Sequence, residues 1–403
     1  MEKAIDKNSR LERIRVIACL LVITNHIQGA PVVENGIFFA GRESLIVLTQ
    51  TSIQMFLMIS GFLMFCNTGN HLEELWGTYW HRIKKFLLYL FLPSLVIVVV
   101  SAVFYGFIVD GKTMPEVFAE RNFQWFYIKD YIFLQQSDYI CVHLWYVWEY
   151  AKIIVFFPLL AFLCQDTKDK NRIRRLFMTA SAANTIFVDA RSFLGIPKGN
   201  FDSLTMNKYI LFVLIGYELY LLFLQREINW MRVRIVGAAL FCVALAGDIV
   251  LQSWYFERTG TTYMAATILG CAGVGNFLFL FSFQESGLSA VWNWLGKRTL
   301  YIYLVHVIVI FTGENVWDRF FWEIAGAGKS MLSLLVYSFG YGAVIFALSL
   351  VTGMLFAVVY EKIFLTIGGK FLFQIGRKIL FGIEKRGKES NEKQRFVGNT
   401  NAE

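Results

Sequence analysis

The sequence predicts an all-α fold, a polytopic integral membrane protein with about ten transmembrane helices and both termini cytoplasmic. Three observations carry that prediction. More than half of the 403 residues are apolar and 17% are aromatic, with a mean hydropathy of +0.51. One soluble core of this size could not hide so much hydrophobic surface. The apolar residues gather into runs near the length that a bilayer demands. The lysines and arginines behind the net charge of +8 fall in short segments between those runs, as membrane topology requires. The expected setting is the cell membrane, multi-pass, with the lipid bilayer as a partner. No basic patch with interleaved stacking aromatics and no glycine-rich phosphate loop is present, so no nucleic acid is expected.

Ten runs qualify as spans, at about residues 14–31, 45–66, 86–108, 144–164, 174–194, 208–225, 233–253, 263–283, 299–316 and 330–360. The fifth is diluted by Thr179, Ser181, Asn184, Asp189 and Arg191, yet a polar helix still spans when it is buried among others. Charge supports keeping it. Ten spans and a cytoplasmic N-terminus place Lys3–Arg15, Arg82–Lys85, Lys168–Arg175, Arg226–Arg234, Lys297–Arg298 and the basic tail on the inside. Dropping the fifth would put Arg226, Arg232, Arg234 and the tail outside. Residues 1–362 are therefore expected to form one membrane domain. Residues 363–383, with Lys370, Arg377 and Lys378 between apolar stretches, read as an amphipathic helix on the membrane surface. Residues 384–403 read as a polar, disordered cytoplasmic tail. There is no internal repeat, which weighs against an inverted-repeat transporter. The first run lacks a small-x-small site for signal cleavage. The six cysteines form no C-x-x-C pair, so neither a disulfide framework nor a metal site is indicated.

The first span carries the most informative pair. Arg15 and His26 are separated by VIACLLVITN. Eleven positions are three helical turns plus about 20°, so both side chains share a face, ~16 Å apart along the axis. Charged and titratable groups are costly inside a spanning helix and are functional candidates by default. Arg15, Arg82, Lys84 and Lys85 all fall at one boundary of spans one and three. Such a cluster suits an anion with several phosphates, or it is ordinary positive-inside anchoring.

His26 lies toward the opposite end of span one, and His143 just before span four. Glu149 is ~9 Å deeper on that span and either orients a histidine or neutralises Lys152. His306 is in the interior of span nine, as a reactive group or as one imidazole hydrogen-bonded between helices. His71 and His81, beside Trp76 and Trp80 in an inner loop, read as interfacial. No serine triad spacing and no H-E-x-x-H helix is present. What remains is a histidine able to act as general base toward a hydroxyl, with a phosphate-binding cluster across the membrane from it. That pairing fits an acyl donor carried on a phosphorylated arm.

Over residues 10–360 the chain resembles the membrane-bound acyltransferase-3 family. The R-x10-H element is matched by Arg15 and His26, and the S-G-F motif of the second helix by MFLMISGFLMF with Ser60, Gly61 and Phe62. The R-x-x-R type element appears as Arg82-Ile-Lys84-Lys85, with lysine at the second basic position. An H-L-W-F-L-like motif appears as His143-Leu144-Trp145-Tyr146-Val147. FVLIGYEL carries Gly216 and Tyr217, and LGKRTLYIYLVH ends at His306. The resemblance implies transfer of an acyl group, usually acetyl, from cytoplasmic acyl-CoA as co-substrate to a hydroxyl of an extracytoplasmic carbohydrate or envelope polymer. It implies no tightly bound cofactor. It carries over to Arg15 and His26 first, then to Arg82 and Lys85.

Two departures bear on the donor site: Lys85 lacks bidentate phosphate binding, and Pro93 lies several residues late. Many relatives carry an extra soluble domain, so this chain is expected to act alone, as a homo-oligomer or with a partner transferase. Two other classes compete. A transporter or exporter of a small molecule or glycan intermediate needs no proton acceptor at position 26, and a membrane sensor or scaffold needs neither Arg15 nor His26.

Overall fold

The computed structural model describes residues 9–27, 36–65, 72–104, 142–165, 167–196, 208–224, 228–260, 263–284, 287–313, 320–321, 323 and 331–362. Every regular element among them is helical. In chain order the α-helices are α1 (Ser9–Ile27), α2 (Gly36–Met64), α3 (Leu72–Phe86), α4 (Leu92–Phe104), α5 (Trp145–Val155), α6 (Phe157–Leu163), α7 (Lys168–Phe193), α8 (Lys208–Phe223), α9 (Trp230–Thr259), α10 (Ala266–Phe281), α11 (Ser289–Gly296), α12 (Thr299–Gly313) and α13 (Met331–Tyr360). Four stretches are long and apolar enough to cross a membrane: Arg42–Met64, Leu75–Ser101, Trp230–Thr259 and Leu332–Tyr360. Two bent pairs, α5 with α6 and α11 with α12, raise the number to six. This is a multi-pass membrane protein.

Local sequence explains the breaks. Pro158 opens α6 and has no N–H to give to the preceding turn, so the chain bends by 60° at Phe156. Span four is therefore two helices. Leu87–Phe91 forms a π-helical turn just before Pro93, where the Leu92 N–H reaches back to the Leu87 carbonyl. A widened turn there joins α3 to α4, so Trp76, Trp80 and His81 sit on a helix continuous with span three, and the loop expected around them is α3. Asn229 caps α9 by accepting from the Arg232 N–H at 3.1 Å, and Gly260 ends it at φ +68°.

α1 and α2 lie at the centre. α2 packs against α1, α8, α9 and α10, and α1 against α2, α10, α11 and α12. Each face of α1 has a separate job. Leu11, Ile14, Ala18 and Leu21 join the main core with Met58 and Phe62 of α2, Val213 of α8 and Phe277 of α10. Cys19, Ile23 and Ile27 face Ile302 of α12 and Tyr337, Tyr341 and Ile345 of α13. The crossing of α2 with α8 is made by glycine on both sides. A Cβ at Gly61 would collide with the Val213 carbonyl, and one at Gly216 with the Met58 carbonyl. Outward faces are apolar, as with Val243 and Val250 of α9, which suits a lipid surround.

α7, expected as the polar fifth span, falls short of the apolarity that marks the four long spans, and two of its buried charged groups, Asp189 and Arg174, are paired with neighbours. Both Asp189 oxygens accept at the start of α10: Oδ1 from the Tyr263 hydroxyl (3.0 Å) and the Ala266 N–H (3.1 Å), Oδ2 from the Thr267 N–H (2.7 Å) and its hydroxyl (2.5 Å). Asp189 thus lies inside α7, within the stretch expected as span five. Arg174, fully buried, pairs with Glu218 of α8 at 2.7 Å, donates to the Leu163 carbonyl at 2.9 Å, and lies over the Tyr217 ring.

The chain divides into two compact units, Met1–Gly353 and Met354–Glu403. In the second, the described residues are the last turns of α13, where the Phe356 and Tyr360 rings stack. The expected surface helix at 363–383 and the tail at 384–403 lie outside the described residues.

Candidate active site

A cavity of about 370 Å³ lies among α1, α2, the α3–α4 helix, α5 and α12. That is within the range of small-molecule sites. Helical spacing builds its walls. Arg15, Val22, Asn25 and His26 come from one face of α1, and Ser52, Ile53, Phe56 and Ser60 from one face of α2. Arg82, Lys85, Phe86 and Tyr89 come from the α3–α4 helix. His143, Trp145, Tyr146, Tyr150, Thr299 and Tyr303 complete the lining.

One cavity thus collects residues that lie more than 280 positions apart in the chain. It brings together Arg15, Arg82, Lys85, His26 and His143 of the residues expected from the sequence. His306 lies just behind: its ring centroid is 5.3 Å from that of His26 and 4.9 Å from that of His143, and the His26–His143 separation is 6.3 Å. The three imidazoles come from α1, the turn before α5, and α12. His306 Nδ1 sits 2.5 Å from the Tyr303 carbonyl, so Nδ1 carries the proton and donates there. Its Nε2 has no hydrogen-bond partner among the described residues. The Tyr303 hydroxyl donates to the His143 carbonyl, tying α12 to the start of α5. His143 and His306 are buried, while His26 presents its ring to the cavity.

The cationic residues are not equivalent. Arg15 Nη1 donates to both Glu12 oxygens, at 2.6 and 2.7 Å, one turn back on α1. Glu12 in turn rests against Gly296, where a Cβ would lie 2.9 Å from Glu12 Cδ. Arg82 Nη2 donates at 2.5 Å to the Met64 carbonyl that ends α2, and its guanidinium lies 4.7 Å from the Phe157 ring centre. Part of its role is therefore to cap a helix. Lys84 is not in the cavity wall.

Glu149 is not in the wall either. It pairs with Lys152 at 2.6 Å, one turn on, which is the simpler of its two expected roles.

Sequence reasoning passed over Asn25, Ser52, Tyr89, Trp145, Tyr146 and Tyr150 as wall residues. The signal for Asn25 was present, since an amide beside His26 in an otherwise apolar run is costly without a partner. Trp145 and Tyr146 lay within the motif that begins at His143, whereas Tyr150 carried no signal, because aromatic residues are everywhere in this chain.

The arrangement offers a base-capable imidazole, serine and tyrosine hydroxyls, and a cation, Arg15, displaced from it along α1 by about three turns. No curated protein and no solved structure matches the chain. Residues 8–357 match the model of the acyltransferase-3 family, described as an acyltransferase domain. The match covers most of the sequence. The chain belongs to that family and is a membrane acyltransferase, a transferase of groups other than aminoacyl groups.

Proposed function

We propose that this acyltransferase moves an acyl group, acetyl in the simplest case, from cytoplasmic acyl-CoA to a hydroxyl of an extracytoplasmic carbohydrate or envelope polymer. The reading places ten spans in the cell membrane, with both termini cytoplasmic and residues 1–362 as the catalytic membrane domain. The observation that supports it is the cavity itself, which has Arg15, Arg82 and Lys85 in the same wall as His26 and His143.

Arg15 and His26 are eleven residues apart on one helix, about 16 Å along its axis. That spacing is comparable to an extended pantetheine arm. The cations hold the CoA phosphates by charge-assisted hydrogen bonds, and the thioester lies toward His26. A ring nitrogen of His26 takes the proton of the acceptor hydroxyl as its oxygen attacks the thioester carbonyl. The C–S bond then breaks, and the proton passes from His26 to the departing thiolate, giving CoA thiol. His143 and His306 pack against His26 and hold its ring. Acyl-CoA is consumed as co-substrate, with no tightly bound cofactor.

The test follows free CoA thiol released by the purified protein in nanodiscs, wild type against His26→Ala. Thiol release that depends on His26 supports the reading. Release unchanged in the variant removes His26 from the chemistry, and wild type that neither binds acyl-CoA nor releases thiol moves the assignment to export of a small molecule.

A further inference from the structure

We propose that Asn25 is a catalytic residue whose side-chain amide stabilises the oxyanion of the tetrahedral intermediate; this rests on the acyl-transfer reading of the same cavity. Asn25 lines the cavity beside His26, on the α1 face that also carries Arg15 and Val22. Its carbonyl oxygen Oδ1 accepts from the buried Thr49 hydroxyl of α2 at 3.0 Å. The planar carboxamide is thereby oriented: its oxygen is spent on Thr49, and Nδ2 with its two hydrogens is left on the opposite edge. The Leu45 and Ile46 carbonyls of α2 also lie 3.0 Å from that hydroxyl, whose single hydrogen we assign to Asn25. An amide that is fixed, neutral and beside the base is the usual equipment for a charge that appears only during reaction.

The chemistry requires such a donor. As the acceptor oxygen bonds to the thioester carbon, the carbonyl π electrons move onto the carbonyl oxygen, which becomes an anion. The proton lost by the acceptor is then on His26. Asn25 Nδ2–H donates to the anionic oxygen until the electrons return, the C–S bond breaks and His26 protonates the thiolate. Arg15 is three turns away on α1 and serves the other end of the donor.

Acetyl-CoA and thiol release in nanodiscs test this with Asn25→Asp, Asn25→Ala and Thr49→Val, each checked for its melting temperature. Asn25→Asp keeps size and the oxygen edge but replaces the donor with a second oxygen. The expected result is a fall in kcat of about 10²-fold in both Asn25 variants. KM for acetyl-CoA stays within about threefold of wild type, since the interaction exists only in the transition state. Thr49→Val, which leaves Asn25 in place but frees its orientation, lowers kcat by about tenfold, again with KM unchanged. Full activity in Asn25→Asp with loss in Asn25→Ala overturns the proposal, because it makes the oxygen edge the working one. Wild-type kcat in Asn25→Ala or in Thr49→Val overturns it as well. Failure of the underlying reading is distinct: there the wild type itself releases no thiol.

Discussion

Two polar regions inside the membrane domain carry similar residue types and behave differently. Around α7, Arg174 meets Glu218, and Asp189 accepts four hydrogen bonds at the start of α10. Around α1, His26 and Asn25 turn part of their side chains into a cavity, beside cations that reach the same space. Burying a polar group is costly unless it is paired. Pairing within the protein offsets that cost and makes α7 a tie between helices. A group left facing a cavity keeps its bonding capacity for something that comes and goes. Polarity in these helices therefore points to a site where the side chain faces the cavity, even when part of it is paired, as Arg15 is with Glu12, and the same lesson applies within one motif. Ser60 faces the cavity, while Gly61, next in the chain, makes the close crossing with α8.

That contrast can be broken by substitution. The largest effect is expected at His26. His26→Ala should cut acyl-CoA-dependent thiol release by at least about 10²-fold, without moving the unfolding temperature. A variant that also unfolds would place His26 with the structural group. Next, Arg174→Ala leaves the Glu218 carboxylate without its partner and should cost about 3–5 kcal/mol of stability, read as an earlier thermal transition in detergent. Its remaining folded fraction should turn over at the wild-type rate; a specific loss of turnover would blur the division between the regions.

Gly61→Ala should cost about 1–3 kcal/mol, because the added methyl meets backbone rather than a side chain that can swing away. Stability equal to wild type would mean that α2 and α8 can part freely. Arg15→Ala should raise the apparent KM for acyl-CoA about tenfold, roughly 1.4 kcal/mol, with little change in kcat. An unchanged KM would end its assignment to the donor phosphates. The smallest effect is expected at Lys152, whose pair with Glu149 is nearly half exposed on the lysine side. Lys152→Ala should change stability by less than about 1 kcal/mol.

Much of the candidate site was legible because it follows helix periodicity. Arg15 and His26 share a face of α1 for the same reason that residues i and i+11 share one on any α-helix. The cationic element at Arg82–Lys85 was visible as charge at a span boundary. Other features required the folded chain. Glu149 had two candidate roles in sequence, and the fold shows its bond to Lys152 at 2.6 Å. Arg82 looked like one more boundary cation, yet it also reaches the last carbonyl of α2, a contact between helices. Lys84, adjacent to Lys85 in the chain, points around the helix and away from the wall.

By itself, the sequence determined the membrane class, the all-helical architecture, the family and the pairing of a cation with a histidine along α1. Those depend on composition and on spacing within single helices, which short-range physics dictates. The tertiary structure alone decided which polar groups are spent and which are free. It brought His26, His143 and His306 within 6.3 Å of one another from three separate elements. It also turned Asn25 toward Thr49 across the α1–α2 contact. The physical reason is that a side chain's partners come from whichever helix packs beside it, and packing is settled by the shapes of all the helices together.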